Sequence, residues 1–281
     1  MDDDQYFKRM TDFVFEAGQL AAKTMGDGRV DLKKDNSVVT KADKDISKLA
    51  KEMLRDLTLT SRHLVIEEED PDHGDYLKDD VLSQVPYLWL IDPIDGSRNY
   101  ALGMPNFGIS IGLLKNLEPH MGVVYFPLLN ELFICDGKDA YFVKNAFTSG
   151  EKKIPIKPID QKISSAAIFL CFDRFFKEFT WDHKDCRLMI QSCAAIDVCW
   201  PSIGHGCGSI LRCSLWDFAG SWPIALKAGL QLRSYATGRV LDKVTADVFD
   251  NKKSPWKLKD FYIRSSERNF PILKEKIKII A

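Results

Sequence analysis

Paired thiols are the first thing missing. Seven cysteines stand at 135, 171, 186, 193, 199, 207 and 213, an odd number with no CxxC pair. The five histidines have no zinc-ligand spacing either. These absences exclude a zinc module and a disulfide-stapled secreted domain, and a reduced, intracellular compartment is expected. Net charge is also missing: 39 Lys and Arg balance 40 Asp and Glu, so no overall field favours nucleic acid or an anionic membrane. No run approaches the ~18 apolar residues of a membrane span, and the start MDDDQYF is acidic where a secretory signal is basic and then apolar. The chain reads as cytoplasmic, without internal repeats or low-complexity tracts.

What is present is a core. With 45% apolar residues over 281 positions, one large domain or two modest ones can be filled. Phe7, Met10, Val14, Ala17 and Ala21 recur at helical spacing, as do Ile46, Leu49, Met53, Leu54 and Leu57. Between these two predicted helices, LKKDNSVVTKAD reads as a loop or short hairpin. HLVIEEED and PYLWLIDPIDG read as strands ending in acids, and FGISIGLL, GVVYFPL, ELFICD and AYFVK as four more. The pattern predicts an antiparallel sheet covered by helices, up to a polar break near TSGEKK. Beyond it, SSAAIFLCF reads as a buried strand, SCAAIDVCW as a helix start, and WDFAGSWPIALKAG as a helix ending at Gly229. The expected organisation is an N-terminal half, 1–155, and a C-terminal α/β half, 156–281. The tail KEKIKII reads as a solvated end.

Acids cluster in four places: Asp43 in VVTKAD, Glu68 and Glu69 in IEEED, Asp92 with Asp95 in WLIDPIDGSRNY, and Asp217 in LWDFAG. Singly, each has an ordinary structural reading as a helix start, a solvated run, a turn or a cap. Jointly, strands that deliver acids at their ends place like charges at one sheet edge, and a cation resolves their repulsion. Oxygen donors without histidine or thiolate point to magnesium, or to manganese. Pro93 fixes the backbone so that the Ile94 carbonyl can turn inward. If a helix opens after Gly96, the Gly96 and Ser97 amides and the Ser97 hydroxyl are placed to hold a phosphate.

These motifs resemble the inositol monophosphatase superfamily of magnesium-dependent, lithium-sensitive phosphatases. The likeness rests on Glu68-Glu69, DPIDGS at 92–97 and WDFA at 216–219, in the family's order. KKDNSVVTKAD and GVVYFPLLNELF add to it, and it spans most of residues 30–230. The resemblance implies a layered α/β (α+β) sandwich of αβαβα architecture, like that of fructose-1,6-bisphosphatase. It implies that Glu68, Asp92 and the Ile94 carbonyl bind one Mg2+, and that Asp92, Asp95 and Asp217 bind a second. A third ion would be watered by Glu68 and Glu69, near Lys33 or Lys34. Asp43 and Ser97 would orient and deprotonate the attacking water, with Glu68 beside them. Gly96, Ser97, Cys193, Ala194 and Asp217 would face the substrate, a small phosphorylated metabolite. A homodimer is expected by the same analogy.

The chain departs from the family mainly in its second half. Ser97 replaces the commoner threonine and keeps the hydroxyl. Ser192-Cys193 stands where Gly-Ser or Gly-Thr is usual, and Cys193 reads as a small core thiol rather than a nucleophile. Ile210 occupies the position of the glutamate that contacts the inositol ring. Lys227 and Asp139 replace family residues, and Pro223 predicts a late helix start or a kink. Trp200, His205 and Arg212 are either leaving-group contacts or structural, and Trp216 reads as a core anchor for Asp217. Inositol monophosphate is the default substrate. A 3'(2'),5'-bisphosphate nucleotidase, a fructose-1,6-bisphosphatase, and a non-catalytic regulatory scaffold binding protein or RNA are the alternatives. Near-zero net charge disfavours RNA.

Overall fold

A computed structural model describes residues 1–26, 30–32, 38–59, 62–70, 73–159, 161–182, 184–250 and 254–280. Seven strands form the larger sheet and lie side by side in chain order. They are β1 (His63–Glu67), β2 (Tyr87–Asp95), β3 (Gly108–Lys115), β4 (Glu118–Phe126), β5 (Glu131–Cys135), β6 (Ala140–Lys144) and β7 (Lys152–Pro155). The helices that position the site are α1 (Asp3–Thr24), α2 (Lys41–Met53), α3 (Ser97–Ala101), α4 (Ala194–Cys199), α5 (Leu215–Ala219), α6 (Trp222–Lys227) and α7 (Asn269–Lys276).

Helix α1 starts where the sequence supplies a reciprocal cap: Gln5 N donates to Asp2 Oδ1 at 2.9 Å, and Asp2 N donates to Gln5 Oε1 at 3.0 Å. Its apolar stripe, Met10, Phe13, Val14, Ala17 and Ala21, is fully buried. α1 packs on β3 and β4, and α2 packs on β2, from one side of the sheet. On the other side α5 lies over β2 and β3, and α6 over β4 to β6.

A second sheet follows, with strand order Arg187–Met189, Ile168–Cys171, Gly208–Leu211, Tyr262–Ser265 and Gln231–Ser234. Its residues alternate between two clusters: Leu170, Leu211 and Tyr262 join the core of α5 and α6, whereas Phe169, Ile210 and Ile263 join Leu273 of α7. Helices, sheet, helices, sheet and a closing helix make the expected αβαβα sandwich.

Several expectations are corrected. The larger sheet is antiparallel except for β1 and β2, which pair in parallel because the chain crosses back through 68–86 between them. The polar stretch near TSGEKK runs into β7, whose side chains are all exposed; an edge strand of this kind carries no apolar alternation. The tail is not wholly solvated, since Ile277 is buried and Ile277–Ile279 pairs with Phe179–Trp181. Val30–Leu32 and Val38–Thr40 do form a hairpin, and residues 33–37 between them lie outside the described residues. WDFAGSWPIALKAG forms two helices rather than one. α5 ends at Ala219 and α6 begins at Trp222, with Pro223 in its first turn, where a missing N–H costs nothing. No helix among the described residues is long and apolar enough to cross a membrane.

One close approach sets the position of α5. A Cβ on Gly122 would run into the Gly220 carbonyl oxygen, and one on Gly112 would run into the Ala219 backbone. Only bare backbone on β3 and β4 lets the end of α5 settle there.

Candidate active site

The parallel pair decides where the acids meet. Glu67 lies in register with Ile91, and the Glu68 amide donates to the Ile91 carbonyl at 3.2 Å, so β1 and β2 end at the same edge. Past this point β2 bulges: Asp92 pairs with Ser110 and Asp95 with Gly108, leaving one extra residue on the β2 side. Residues three apart on a plain strand face opposite ways, and the bulge at Pro93-Ile94 removes that difference. From the opposite half, the first turn of α5 brings Asp217, whose Oδ2 accepts from the Ser214 amide at 2.9 Å.

Carboxylate oxygens of Glu68, Asp92 and Asp217 all lie within 4.8 Å of one another. Asp92 is 2% exposed, and its Oδ1 has no hydrogen-bond partner among the described residues. Burial pushes the Asp92 carboxyl well above its ordinary range, and the charges of Glu68, Asp95, Asp217 and Asp43 push it further. Asp217 is raised for the same reasons, burial first and then Glu68 and Asp95. A buried acid oxygen without a donor, facing two more acids, has the chemistry to hold a cation. The all-oxygen donor set fits magnesium, so these residues fit the metal that the motifs imply.

Asp95 is arranged differently. Its Oδ1 accepts from the Ala194 amide at 3.1 Å, and its Oδ2 accepts from the Ala195 amide and from the Cys193 thiol, the latter at 3.1 Å. Burial raises its pKa, while these donors and the Gly96 amide pull it down. Asp95 is therefore turned toward α4 and is absent from the close trio. Cys193 is 3% exposed and pushed well up by burial and by Asp95, so it is a hydrogen-bond donor and a poor nucleophile.

Asp43 and Ser97 do meet. Ser97 Oγ lies 3.1 Å from Asp43 Oδ1 and 2.8 Å from the Ile94 carbonyl. Asp43 is fully buried, and its other oxygen accepts from the Thr40 amide at 2.7 Å and from the Thr40 hydroxyl. Helix cap and site member are thus one residue. Helix α3 opens at Ser97 after Gly96, whose φ is 86°. A Cβ there would meet the Asn106 carbonyl at 2.9 Å and Cys193 Cβ at 3.2 Å, so only glycine fits.

Glu69 is half-buried and its amide donates to Glu67 Oε2 at 3.1 Å. Lys33 and Lys34 lie outside the described residues. Trp216 is buried against His73, ring centres 4.9 Å apart, and anchors the turn that carries Asp217.

Sequence reasoning missed three supporting residues. Glu67, 2% exposed, accepts from Ser47 Oγ at 2.7 Å and Lys51 Nζ at 3.1 Å, tying the end of β1 to α2. Asn99 Nδ2 donates to the Asn106 and Gln191 carbonyls at 2.7 and 2.8 Å, holding α3 against the segment before Cys193. Asp173 accepts from Ser192 Oγ at 2.6 Å and pairs with Arg98 at 3.0 Å. Glu67 opens a run of three glutamates, which gives no period to read; Arg98-Asn99, directly after the motif, was the available signal.

Beside Asp95 lies a cavity of about 220 Å³, whose lining includes Asp173, Arg174, Ser192, Cys193, Asp197 and Arg212. The Arg212 guanidinium sits over the Phe261 ring at 4.4 Å. The Trp200 and His205 rings meet edge to face, centres 6.3 Å apart, and do not line this cavity. Ile210 faces the outer cluster with α7, so its side chain points away from the site altogether.

Strand-end acids, a half-buried serine paired with a buried aspartate and a glycine-opened turn thus meet on a five-layer sandwich. The chain belongs to the inositol monophosphatase family, which it matches over residues 2–269. It is 30% identical over 203 residues to inositol monophosphatase 1 of Solanum lycopersicum, covering 70% of this chain and 68% of that protein. It is 32% identical over 174 residues to protein QutG of Emericella nidulans, covering 60% of this chain but only 52% of that relative. In structure it is similar to the Thermotoga maritima IMPase, with a TM-score of 0.68 at 23% identity, covering 98% of this chain and 96% of that one.

Proposed function

We propose that this phosphatase hydrolyses the phosphomonoester of a small polyol or sugar, with inositol monophosphate as the first candidate. The observation that carries the reading is the orphaned, buried Oδ1 of Asp92 between Glu68 and Asp217, next to the Asp43–Ser97 pair. Glu68, Asp92, Asp217 and the Ile94 carbonyl would hold magnesium, with Asp95 joining for a second ion and Glu69 for a third. When bound, magnesium lowers the pKa of water and neutralises charge on the phosphate and leaving oxygen. Ser97 Oγ positions the attacking water, and Asp43 Oδ1, 3.1 Å away, receives its proton through that hydroxyl. The Ser97 amide at the start of α3 would face the phosphate, whereas the Gly96 amide is engaged by Asp95. The Ala194 amide, expected at the substrate, is occupied by Asp95.

The size of the neighbouring cavity favours a small leaving group. At about 220 Å³ it would take a polyol or sugar. Arg212, exposed to the cavity and stacked on Phe261, supports a second reading in which that sugar carries another phosphate, as in fructose 1,6-bisphosphate. By family analogy the reading extends to a lithium-sensitive homodimer built from halves 1–155 and 156–281. Seven free cysteines, six of them buried, support a cytoplasmic setting.

The test is phosphate release from inositol 1-phosphate, fructose 1,6-bisphosphate and 3'-phosphoadenosine 5'-phosphate, with and without magnesium and lithium. Magnesium-dependent release from the inositol ester, blocked by lithium, is expected. Preferential release from the nucleotide would overturn the substrate assignment.

A further inference from the structure

The geometry points to Cys193 as a positioning residue that holds Asp95 away from the metal trio, so that it sets how readily a second cation binds. The inference rests on the metal-site reading given above. Asp95 is the one acid of the DPIDGS motif that does not converge on Glu68, Asp92 and Asp217, and the structure shows what holds it instead. Its two oxygens take three donors from one short stretch: the Cys193 thiol and the Ala194 and Ala195 amides.

Two of these donors are backbone and belong to any sequence at this place. The third is a choice of side chain. Cys193 is buried, and among the described residues both acceptors within reach of its Sγ belong to Asp95, the carbonyl at 3.6 Å and Oδ2 at 3.1 Å. Asp95 Oδ2 bears two of the three bonds, and to ligate a cation the carboxylate must turn against them. A thiol is a weak donor, so removing it loosens Asp95 moderately, while a hydroxyl of similar shape tightens it.

The experiment uses the whole chain and Mn2+ alone, with free ion counted by its electron paramagnetic resonance signal. Wild type is expected to bind a first ion and then a second more weakly. Cys193→Ala is expected to tighten the weaker step about fivefold, and Cys193→Ser to weaken it about threefold, with the tighter step unchanged in both. Circular dichroism checks that each variant is folded; because the two substitutions are to move the constant in opposite directions, a general loosening cannot mimic the result. Unchanged weaker steps, or a weaker step that is lost in Cys193→Ala, would overturn the lock while leaving the metal site standing. Absence of any Mn2+ binding to wild type would overturn both.

Discussion

The two walls of the site are built by opposite means. The wall from the N-terminal half consists of strand ends: β1 and β2 run in parallel to one edge, a bulge turns Asp92 and Asp95, and α2 brings Asp43 to Ser97. The facing wall consists of short helices and the loops before them, α4 and α5 with residues 172–174 and 211–213. Strand ends are fixed by a hydrogen-bonded ladder and suit chemistry that tolerates no displacement. Loop-borne walls tolerate substitution and suit selection among substrates. In this chain the first wall follows its family, whereas the second keeps WDFA and departs around it.

That contrast can be broken or sharpened by substitution. Asp92→Asn strikes the first wall at its centre, and kcat should fall by roughly a thousandfold or more. In chelator the same variant should be at least as thermally stable as wild type, because a buried like-charge cluster has lost a member. A variant that is inactive only because it unfolds would contradict this account. Gly122→Ala strikes the support of α5: its new Cβ meets the Gly220 carbonyl, and the expected loss is about 1–3 kcal/mol in urea unfolding, with weaker metal binding as Asp217 shifts.

Asp197 tests the second wall through pH. Its carboxyl is 4% exposed, one oxygen lacks a partner among the described residues, and burial raises its pKa well above 3.8, with Asp95 and Asp173 adding to the effect. The folded state therefore keeps a proton that the unfolded state has lost. Stability contributed by the protonated form is complete at low pH and declines as pH rises from 3.8 through the raised value. Asp197→Asn mimics the protonated form, so its advantage over wild type should grow from pH 5 to pH 8, by up to about 1.4 kcal/mol per unit within the window. Chemical denaturation at the two pH values reads this. The smallest effect is expected from Arg212→Gln, a few-fold rise in KM for a bisphosphorylated sugar with kcat kept; a collapse of kcat instead would move Arg212 into the chemistry.

The contrast also governs what the sequence reveals. Asp92, Asp95 and Gly96 are legible because the chemistry dictates residue type and spacing within one continuous segment. The sandwich is legible because apolar runs and turn residues mark most strands. β7 escapes notice since its four residues are all polar or exposed, and the parallel β1–β2 pair escapes because pairing sense leaves no mark on local pattern. The turning of Asp95 toward α4 depends on residues about a hundred positions away, which no local reading reaches. Likewise Ile210 has the spacing of a substrate contact, yet strand alternation sends it to the outer core.

The glycine contact between Gly122 and Gly220 has a consequence for how the protein is made. Glu68 and Asp92 emerge early in synthesis, whereas Asp217 emerges long after them and reaches them only once α5 has docked on β3 and β4. Until that docking, the nascent chain carries a cluster of acids with no partner from the other half. On the proposed site, hydrolysis would therefore wait until α5 has docked, late in the making of the chain.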